Sequence, residues 1–332
     1  MRRLLVTGGA GFIGANFVQD TVRRFPADEV TVLDALTYAG NRRSLDPVAD
    51  RITFVHGDIC DAELVDRLVR SCDAVVHFAA ESHVDNSLDD PSPFIQTNIV
   101  GTFVILEAVR RHGVRLHHVS SDEVYGDLPL DSASAFTEET PYNPSSPYSA
   151  SKASADMLVR AWVRSYGVAA TISNCANNFG PYQHVEKLIP RTITNILTGT
   201  RPKLYGTGAN IREWTHVDDH NDAVHRILQH GRLGETYLIG SGQTRTNKQV
   251  VETILSLMGH SPDAYDVTPD RPAHDLRYTT DSTKLRRELN WTPSYQDFES
   301  ALAETITWYQ HNPDWWQPQK SATEAKYTRL GR

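Results

Sequence analysis

A doubly wound α/β fold, with a parallel sheet covered by helices on both faces and a smaller mixed α/β lobe appended, is predicted by three features of the 332-residue sequence. Length, at roughly 150 residues per domain, suggests about two domains or one large domain with a lobe. Short β-branched runs alternate with helix-spaced apolar segments through the first half, which is the rhythm of βαβ units. The first of these runs leads directly into a glycine-rich turn. Composition agrees, because 39% hydrophobic and 22% charged residues fit a globular chain and neither a collagen-like nor a disordered one.

In order, the predicted strands are residues 3–7, 29–34, 52–56, 74–78 and 115–120. Their near-continuous apolar character suits strands buried on both faces, and right-handed crossovers then place helices on either side. Segments 102–111 and 149–166 carry helix-spaced apolar residues with charges opposite, so they are expected to pack on the sheet. After about Cys175, loops such as Asn177-Asn-Phe-Gly-Pro-Tyr and Tyr205-Gly-Thr-Gly-Ala-Asn separate shorter helical stretches. We therefore expect a nucleotide-binding domain over 1–175, with about 213–243 returning to it, and a second lobe over most of 176–332. Residues 262–272 read as a polar connection, Trp315-Trp316 as packing, and the residues after Trp316 as a loosely held tail.

Charge and cysteine usage exclude several classes. Thirty-three Lys+Arg against 41 Asp+Glu give a formal charge of -8, which opposes a surface built to coat nucleic acid. No unbroken run of about 18 apolar residues suggests a membrane span. The apolar run after Arg3 ends in three residues, too short for the core of a signal peptide. Cys60, Cys72 and Cys175 are odd in number and lack CxxC spacing, which argues against a disulfide framework and against a metal site. A reducing cytoplasm is the expected setting.

The chemistry is carried by three patterns. Val6-Thr-Gly8-Gly-Ala-Gly11-Phe-Ile-Gly14 joins a strand to a helix, where glycines permit a tight turn and let a pyrophosphate rest on the helix N-terminus. Asp34 ends the second strand, placed to bind an adenosine ribose and to repel a 2′-phosphate, which favours NAD over NADP. Asp58 and Ile59 follow the third strand and can bracket an adenine, unless Asp58 caps the helix near Asp61. Tyr148-Ser-Ala-Ser-Lys152 sets a phenol and an ammonium one helical turn apart, so the cation is expected to lower the phenol pKa and make it a base for an alcohol. Ser121-Asp122-Glu123 adds a hydroxyl and two adjacent carboxyls. Neighbours in a strand point to opposite faces, so both acids can serve one substrate only if the strand ends there.

Together these patterns resemble the extended short-chain dehydrogenase/reductases. The likeness to the dTDP-glucose 4,6-dehydratase family runs along nearly the whole chain, through Thr37-Tyr-Ala-Gly-Asn, Ala79-Ala-Glu-Ser-His-Val-Asp, Thr97-Asn-Ile-Val-Gly-Thr, Glu186-Lys-Leu-Ile-Pro, Arg212-Glu-Trp and Asp270-Arg-Pro-Ala-His-Asp. The resemblance implies tightly held NAD, a dTDP-hexose substrate and a homodimer formed through helices. It implies catalytic roles for Ser121, Asp122, Glu123, Tyr148 and Lys152. Cofactor contacts are implied at Gly8, Gly11, Phe12, Ile13, Gly14, Asp34, Ala35, Leu36, Thr37, Asp58, Ile59, Phe78, Ala79, Ala80, Ser82, Thr97, Tyr148, Lys152 and Asn178. Beside Ser82 and the Ser121–Glu123 group, substrate contacts are implied at Asn177, Lys187, Leu188, Lys203, Leu204, Tyr205, Arg212, Asn247, Arg271 and His274, although His274 reads equally well as a structural histidine.

In that family's reaction a tyrosine takes the C4 hydroxyl proton as C4 is oxidised, one carboxylate removes the now acidic C5 proton, and a neutral carboxyl protonates the departing C6 hydroxyl. Close like charges can keep one carboxyl neutral. The sequence departs from the family pattern at Ser121 (usually Thr), Asn86 (usually Arg), Ala176 (often Ser) and His184 (commonly Phe). The competing readings are a 4-epimerase or decarboxylase, which needs no Asp-Glu pair, a dehydratase of a UDP- or GDP-hexose, and a catalytically silent nucleotide-binding protein.

Overall fold

The computed structural model describes residues 1–270, 272 and 274–329. In chain order its strands are β1 (Arg3–Thr7), β2 (Glu29–Asp34), β3 (Ile52–His56), β4 (Ala74–His77), β5 (Arg115–Ser121), β6 (Ala170–Cys175), β7 (Asn177–Phe179), β8 (Lys203–Tyr205), β9 (Ile211–His216), β10 (Thr236–Ile239), β11 (Thr244–Thr246) and β12 (Asp266–Thr268). Its helices are α1 (Phe12–Arg24), α2 (Ala62–Val69), α3 (Val84–Asp89), α4 (Ser92–Phe94), α5 (Thr102–His112), α6 (Pro147–Tyr166), α7 (Leu188–Leu197), α8 (Val217–His230), α9 (Asn247–Leu257), α10 (Thr283–Leu289), α11 (Phe298–His311) and α12 (Pro313–Arg329).

Seven parallel strands in the order β10-β6-β5-β4-β1-β2-β3 form the main sheet. Side chains alternate along a strand, so β1 feeds two cores. Leu4 and Val6 enter one with Val18 of α1 and Ile227 of α8, while Leu5 enters the other with Val65 of α2, Leu106 of α5 and Val159 of α6. This two-sided burial explains the apolar runs of the sequence.

The five predicted strands are present to within a residue at their ends. β6 and β10 were not singled out. β6 reads Ala-Thr-Ile-Ser-Asn-Cys, polar for a buried strand, and two of its hydroxyls are satisfied internally: His117 Nδ1 lies 3.0 Å from Thr171 Oγ1 and Nε2 3.1 Å from Ser173 Oγ. The chain returns to the main sheet through α8 and β10, and again through α10, whose Leu285 and Leu289 join the first core.

α6 begins two residues earlier than its apolar pattern, because Ser146 and Ser149 form a capping box and Pro147 starts the helix. Gly167, at φ 67°, ends it. Ser92–His112 is one continuous helical stretch long and apolar enough, by length and composition, to cross a membrane. Asn98, Ile105 and Leu106 on its inner side are buried, while Ile95 and Phe103 are exposed.

In the second lobe β9 pairs parallel with β7 and antiparallel with β11, over a core that includes Phe179, Trp214, Ile254, Phe298 and Leu302. Two expectations fail here. The supposed connection contains β12, which pairs with β8. The supposed loose tail is α12, with Trp315 and Trp316 in the lobe core and Lys320, Thr323 and Tyr327 buried beyond them. A polar sequence interrupted by Pro318 hid this helix, since its anchorage is largely polar. The packing role expected for Trp315-Trp316 agrees with their burial, and their indole N–H groups donate to Ser44 Oγ (3.0 Å) and the Tyr309 carbonyl (2.8 Å).

Candidate active site

The carboxyl ends of the main-sheet strands open onto a cleft beside the β1–β4 pair, where the strand order changes direction. It holds a cavity of about 300 Å³, and a second of about 170 Å³ shares Ser82, Glu123, Asn177, Glu186 and Lys187 with it.

The first cavity is walled by the turns that follow successive strands. After β1 come Gly8, Gly11, Phe12, Ile13 and Gly14; after β2, Asp34, Ala35 and Thr37; after β3, Asp58 and Ile59; after β4, Phe78, Ala79, Ala80 and Ser82. Thr97 and Asn178 also line it. The three motif glycines do different things. Gly8 has φ +69°, and a Cβ there would lie 2.6 Å from Ala79 N; a Cβ on Gly14 would lie 2.3 Å from the Gly8 carbonyl oxygen. Both are demanded by packing of turn on strand and helix. At Gly11 a Cβ would meet only the Gly8 oxygen, at 3.3 Å, and Gly11 is also the N-cap of α1 with no side chain occupying the helix end. That bare N-terminus, whose first residues line the cavity, fits a pyrophosphate.

Asp34, 8% exposed, closes β2 and accepts hydrogen bonds from Ala10 N and Leu36 N, both 2.8 Å. Burial pushes its carboxyl up, and those two N–H groups oppose the shift. The cradle and the acid at the second strand end suit a dinucleotide of the NAD type. Asp61 is the cap of α2, accepting from Leu64 N, and Asp58 instead accepts from Cys60 N while lining the cavity.

β5 stops at Ser121, and Asp122–Tyr125 is a 3-10 turn. The strand thus ends where two adjacent acids need it to end, and Asp122 and Glu123 both face the cleft. Ser121 Oγ accepts from Glu123 N (3.2 Å) and lies 3.4 Å from Asp122 Oδ1. Asp122 is 2% exposed, and among the described residues its Oδ2 has no hydrogen-bond partner. Burial, then the charges of Glu123 and Glu213, hold its carboxyl well above the ordinary range, with Arg212 opposing. One member of the pair is thereby set up as a neutral acid.

Tyr148 and Lys152 enter the same cavity from the first turns of α6, both buried. The expected lowering of the phenol is not found. Burial, then Glu123, pushes Tyr148 well above its ordinary value, and Ser121 opposes. The Lys152 ammonium donates instead to the Val119 carbonyl (2.8 Å), and burial lowers its own pKa, with Asp156 one turn further along α6 opposing.

The second cavity is lined by Leu188, Lys203, Tyr205, Arg212, Asn247 and His274 in addition to the shared residues. Lys187 donates to the Ser82 carbonyl (2.8 Å), and two Arg212 N–H groups are engaged with the Ile211 and Asp275 carbonyls (2.8 Å each). His274 Nδ1 lies 2.5 Å from Asp270 Oδ1. Two predicted contacts do not line the cleft. Leu36 has its side chain against the first core, and Leu204, 2% exposed, packs with Val251 and Leu255 because β8 turns that face inward. Arg271 lies outside the described residues. Sequence reasoning gave no site role to several cleft residues, His83, Asp85, Glu186, Arg191 and Tyr327 among them. The first three sit in motifs quoted above, and that was their only signal.

A family model described as GDP-mannose 4,6 dehydratase matches residues 5–305. The chain is 67% identical over 330 residues to the dTDP-glucose 4,6-dehydratase of Mycobacterium tuberculosis (strain ATCC 25618 / H37Rv), covering 99% of this chain and 100% of that protein. Its fold superposes on a crystal structure of a Streptomyces venezuelae dTDP-glucose 4,6-dehydratase with NAD bound, with a TM-score of 0.92 and 49% identity over 96% of this chain and 100% of that one. A UDP-glucose 4-epimerase of Thermotoga maritima is similar at a TM-score of 0.87 and 27% identity, over 94% of this chain and 99% of that one.

Proposed function

The chain belongs to the dTDP-glucose 4,6-dehydratase family of extended short-chain dehydrogenase/reductases, and from that membership we propose how its residues act. The protein is an NAD-dependent hydro-lyase that converts dTDP-glucose to dTDP-4-keto-6-deoxyglucose and water. The chemistry that bound NAD supplies is acceptance of a hydride from C4 and its return at C6. Gly11 and the α1 N-terminus hold the pyrophosphate, and Asp34 the adenosine ribose.

Tyr148 Oη receives the C4 hydroxyl proton, with Ser121 opposing the burial that disfavours the phenolate, and Lys152 is assigned beside it from the family motif. A C4 ketone makes the C5 proton acidic, because the carbanion is delocalised as an enolate. Glu123 removes that proton, and Asp122 protonates the departing C6 hydroxyl. Arg212 and Lys187 take the diphosphate and nucleotide, with Arg271 assigned there from the family motif, and Lys203 lines the same pocket as a nucleotide-sugar contact. The observation that carries this reading is the desolvated Asp122 beside Glu123 in one cleft with Tyr148 and Lys152. The epimerase reading gives that pair no task. Identity of 67% to a dTDP-glucose enzyme favours dTDP over GDP or UDP.

The test is Asp122→Asn, followed by mass spectrometry of the sugar nucleotide. Water loss should fall by about 10²–10⁴-fold, the usual contribution of a general acid. A sugar oxidised at C4 but still carrying its C6 oxygen should then accumulate. Elimination at the parent rate would remove Asp122 from the mechanism.

We also infer a homodimer. Ile95 and Phe103 of the Ser92–His112 stretch and Met157 and Tyr166 of α6 are exposed, and Phe103 stacks edge-on against Trp162 with 5.9 Å between ring centres. A second copy covering these helices would bury this apolar surface. The three free cysteines, two of them buried, suit a cytoplasmic setting.

A further inference from the structure

The last turn of α12 reaches a part of the cleft that the reaction steps leave without a role. Arg191 of α7 anchors this helix to the second lobe with two hydrogen bonds to Glu324, 3.1 Å each. Lys320 adds bonds to Asn195 and to Glu324 (2.7 Å). The Arg191 guanidinium also lies 3.6 Å from the centre of the Tyr327 ring. From this base α12 crosses to the first domain. Lys326 donates to Oδ1 of Asn86, and the Tyr327 hydroxyl lies 2.6 Å from Nε2 of His83.

His83 and Asn86 belong to the segment after β4 that carries Ser82 and Asp85 into the second cavity, and Tyr327 is itself a wall of that cavity. Tyr327 is 3% exposed; burial, then Asp85, raises its phenol, so the hydroxyl stays protonated beside His83 Nε2. Two departures from the family pattern meet near this junction. Asn86 receives Lys326, and His184 Nδ1 lies 3.8 Å from Glu186 Oε1, whose Oε2 is 3.7 Å from His83 Nε2.

We propose that Tyr327 is a positioning residue for the nucleotide-sugar pocket: its hydroxyl fixes His83, and with it the Ser82–Asp85 wall, against the substrate lobe. This rests on the reading of the pocket as the dTDP-hexose site. The cleft walls come from two bodies of the chain, and the end of α12 is bonded to both. Substrate binding depends on how closely those walls are held, because ordering them on binding costs affinity. The partners of Tyr327 are pocket residues and not the Tyr148–Lys152 or Asp122–Glu123 groups, so its effect falls on binding and leaves the chemical steps intact.

The test compares the parent with Tyr327→Phe, His83→Leu and the double variant. Steady-state kinetics with dTDP-glucose give KM and kcat, and calorimetric titration with dTDP gives Kd. Loss of one buried hydrogen bond predicts KM and Kd raised about 5–10-fold in either single variant. We expect kcat within about twofold of the parent, as for an interaction made equally in ground and transition states. The double variant should be no worse than the worse single, because both remove the same bond. Parental KM and Kd in Tyr327→Phe, or additive losses in the double variant, would overturn the proposal even if thermal stability fell. A parent that turns over dTDP-glucose beside such a silent variant leaves the functional reading standing; a parent inert to dTDP-glucose removes that reading and this proposal with it.

Discussion

Asp122 and Glu186 illustrate how burial sets the charge of carboxyls lining the cleft. Glu186 is 7% exposed, and burial raises it to about 7 despite Lys187 and Lys326 nearby. A carboxyl raised on folding favours the folded state while it holds its proton, and that contribution is lost as pH rises from about 4.5 through about 7. Glu186→Gln, fixed neutral, should therefore match the parent near pH 4.5 and exceed it at pH 8, by roughly 1–3 kcal/mol. Thermal midpoints at both pH values check this, and a difference that does not change with pH would contradict it. At this scale the sequence was informative about identity and less so about environment. Ser121, Asp122, Glu123, Tyr148 and Lys152 converge as their motifs implied. The direction of the Tyr148 shift was not legible, because it is set first by burial and then by the charge of Glu123.

Among the elements, the β1-turn-α1 unit separates structural from ligand-facing glycine. Gly14→Ala forces a Cβ into the Gly8 carbonyl and should destabilise the fold by about 2–4 kcal/mol. Gly11→Ala meets one atom at 3.3 Å, so it should fold with a melting point near the parent yet copurify with less NAD. Thermal melts and NAD released on denaturation distinguish the two; equal melting losses would show that Gly11 is also structural. Strands β1 to β5 were readable because burial on both faces leaves apolar runs, and α6 because its apolar spacing is long. β6 escaped because its hydroxyls are paired with His117, and α12 because its anchorage uses Arg191, Asn195 and His83, all distant in sequence.

For the whole molecule, the two-lobed arrangement followed from the change of pattern after Cys175, whereas the return of α10 to the first core did not, since only topology brings α10 beside α8 and β10. Oligomeric state is the first prediction at this scale. The parent should sediment as a dimer, and Phe103→Glu combined with Met157→Glu, placing charge on the exposed faces of the Ser92–His112 stretch and α6, should halve that mass. A parent that sediments as a monomer would contradict the interface. In the proposed reaction one cleft oxidises, dehydrates and reduces the same sugar without net use of its cofactor. Purified protein incubated with dTDP-glucose in D₂O, with no added NAD, tests it most directly by mass spectrometry. The expected product is lighter by one water and carries a solvent deuteron at C5; a product of unchanged composition, separable as dTDP-galactose, would contradict this.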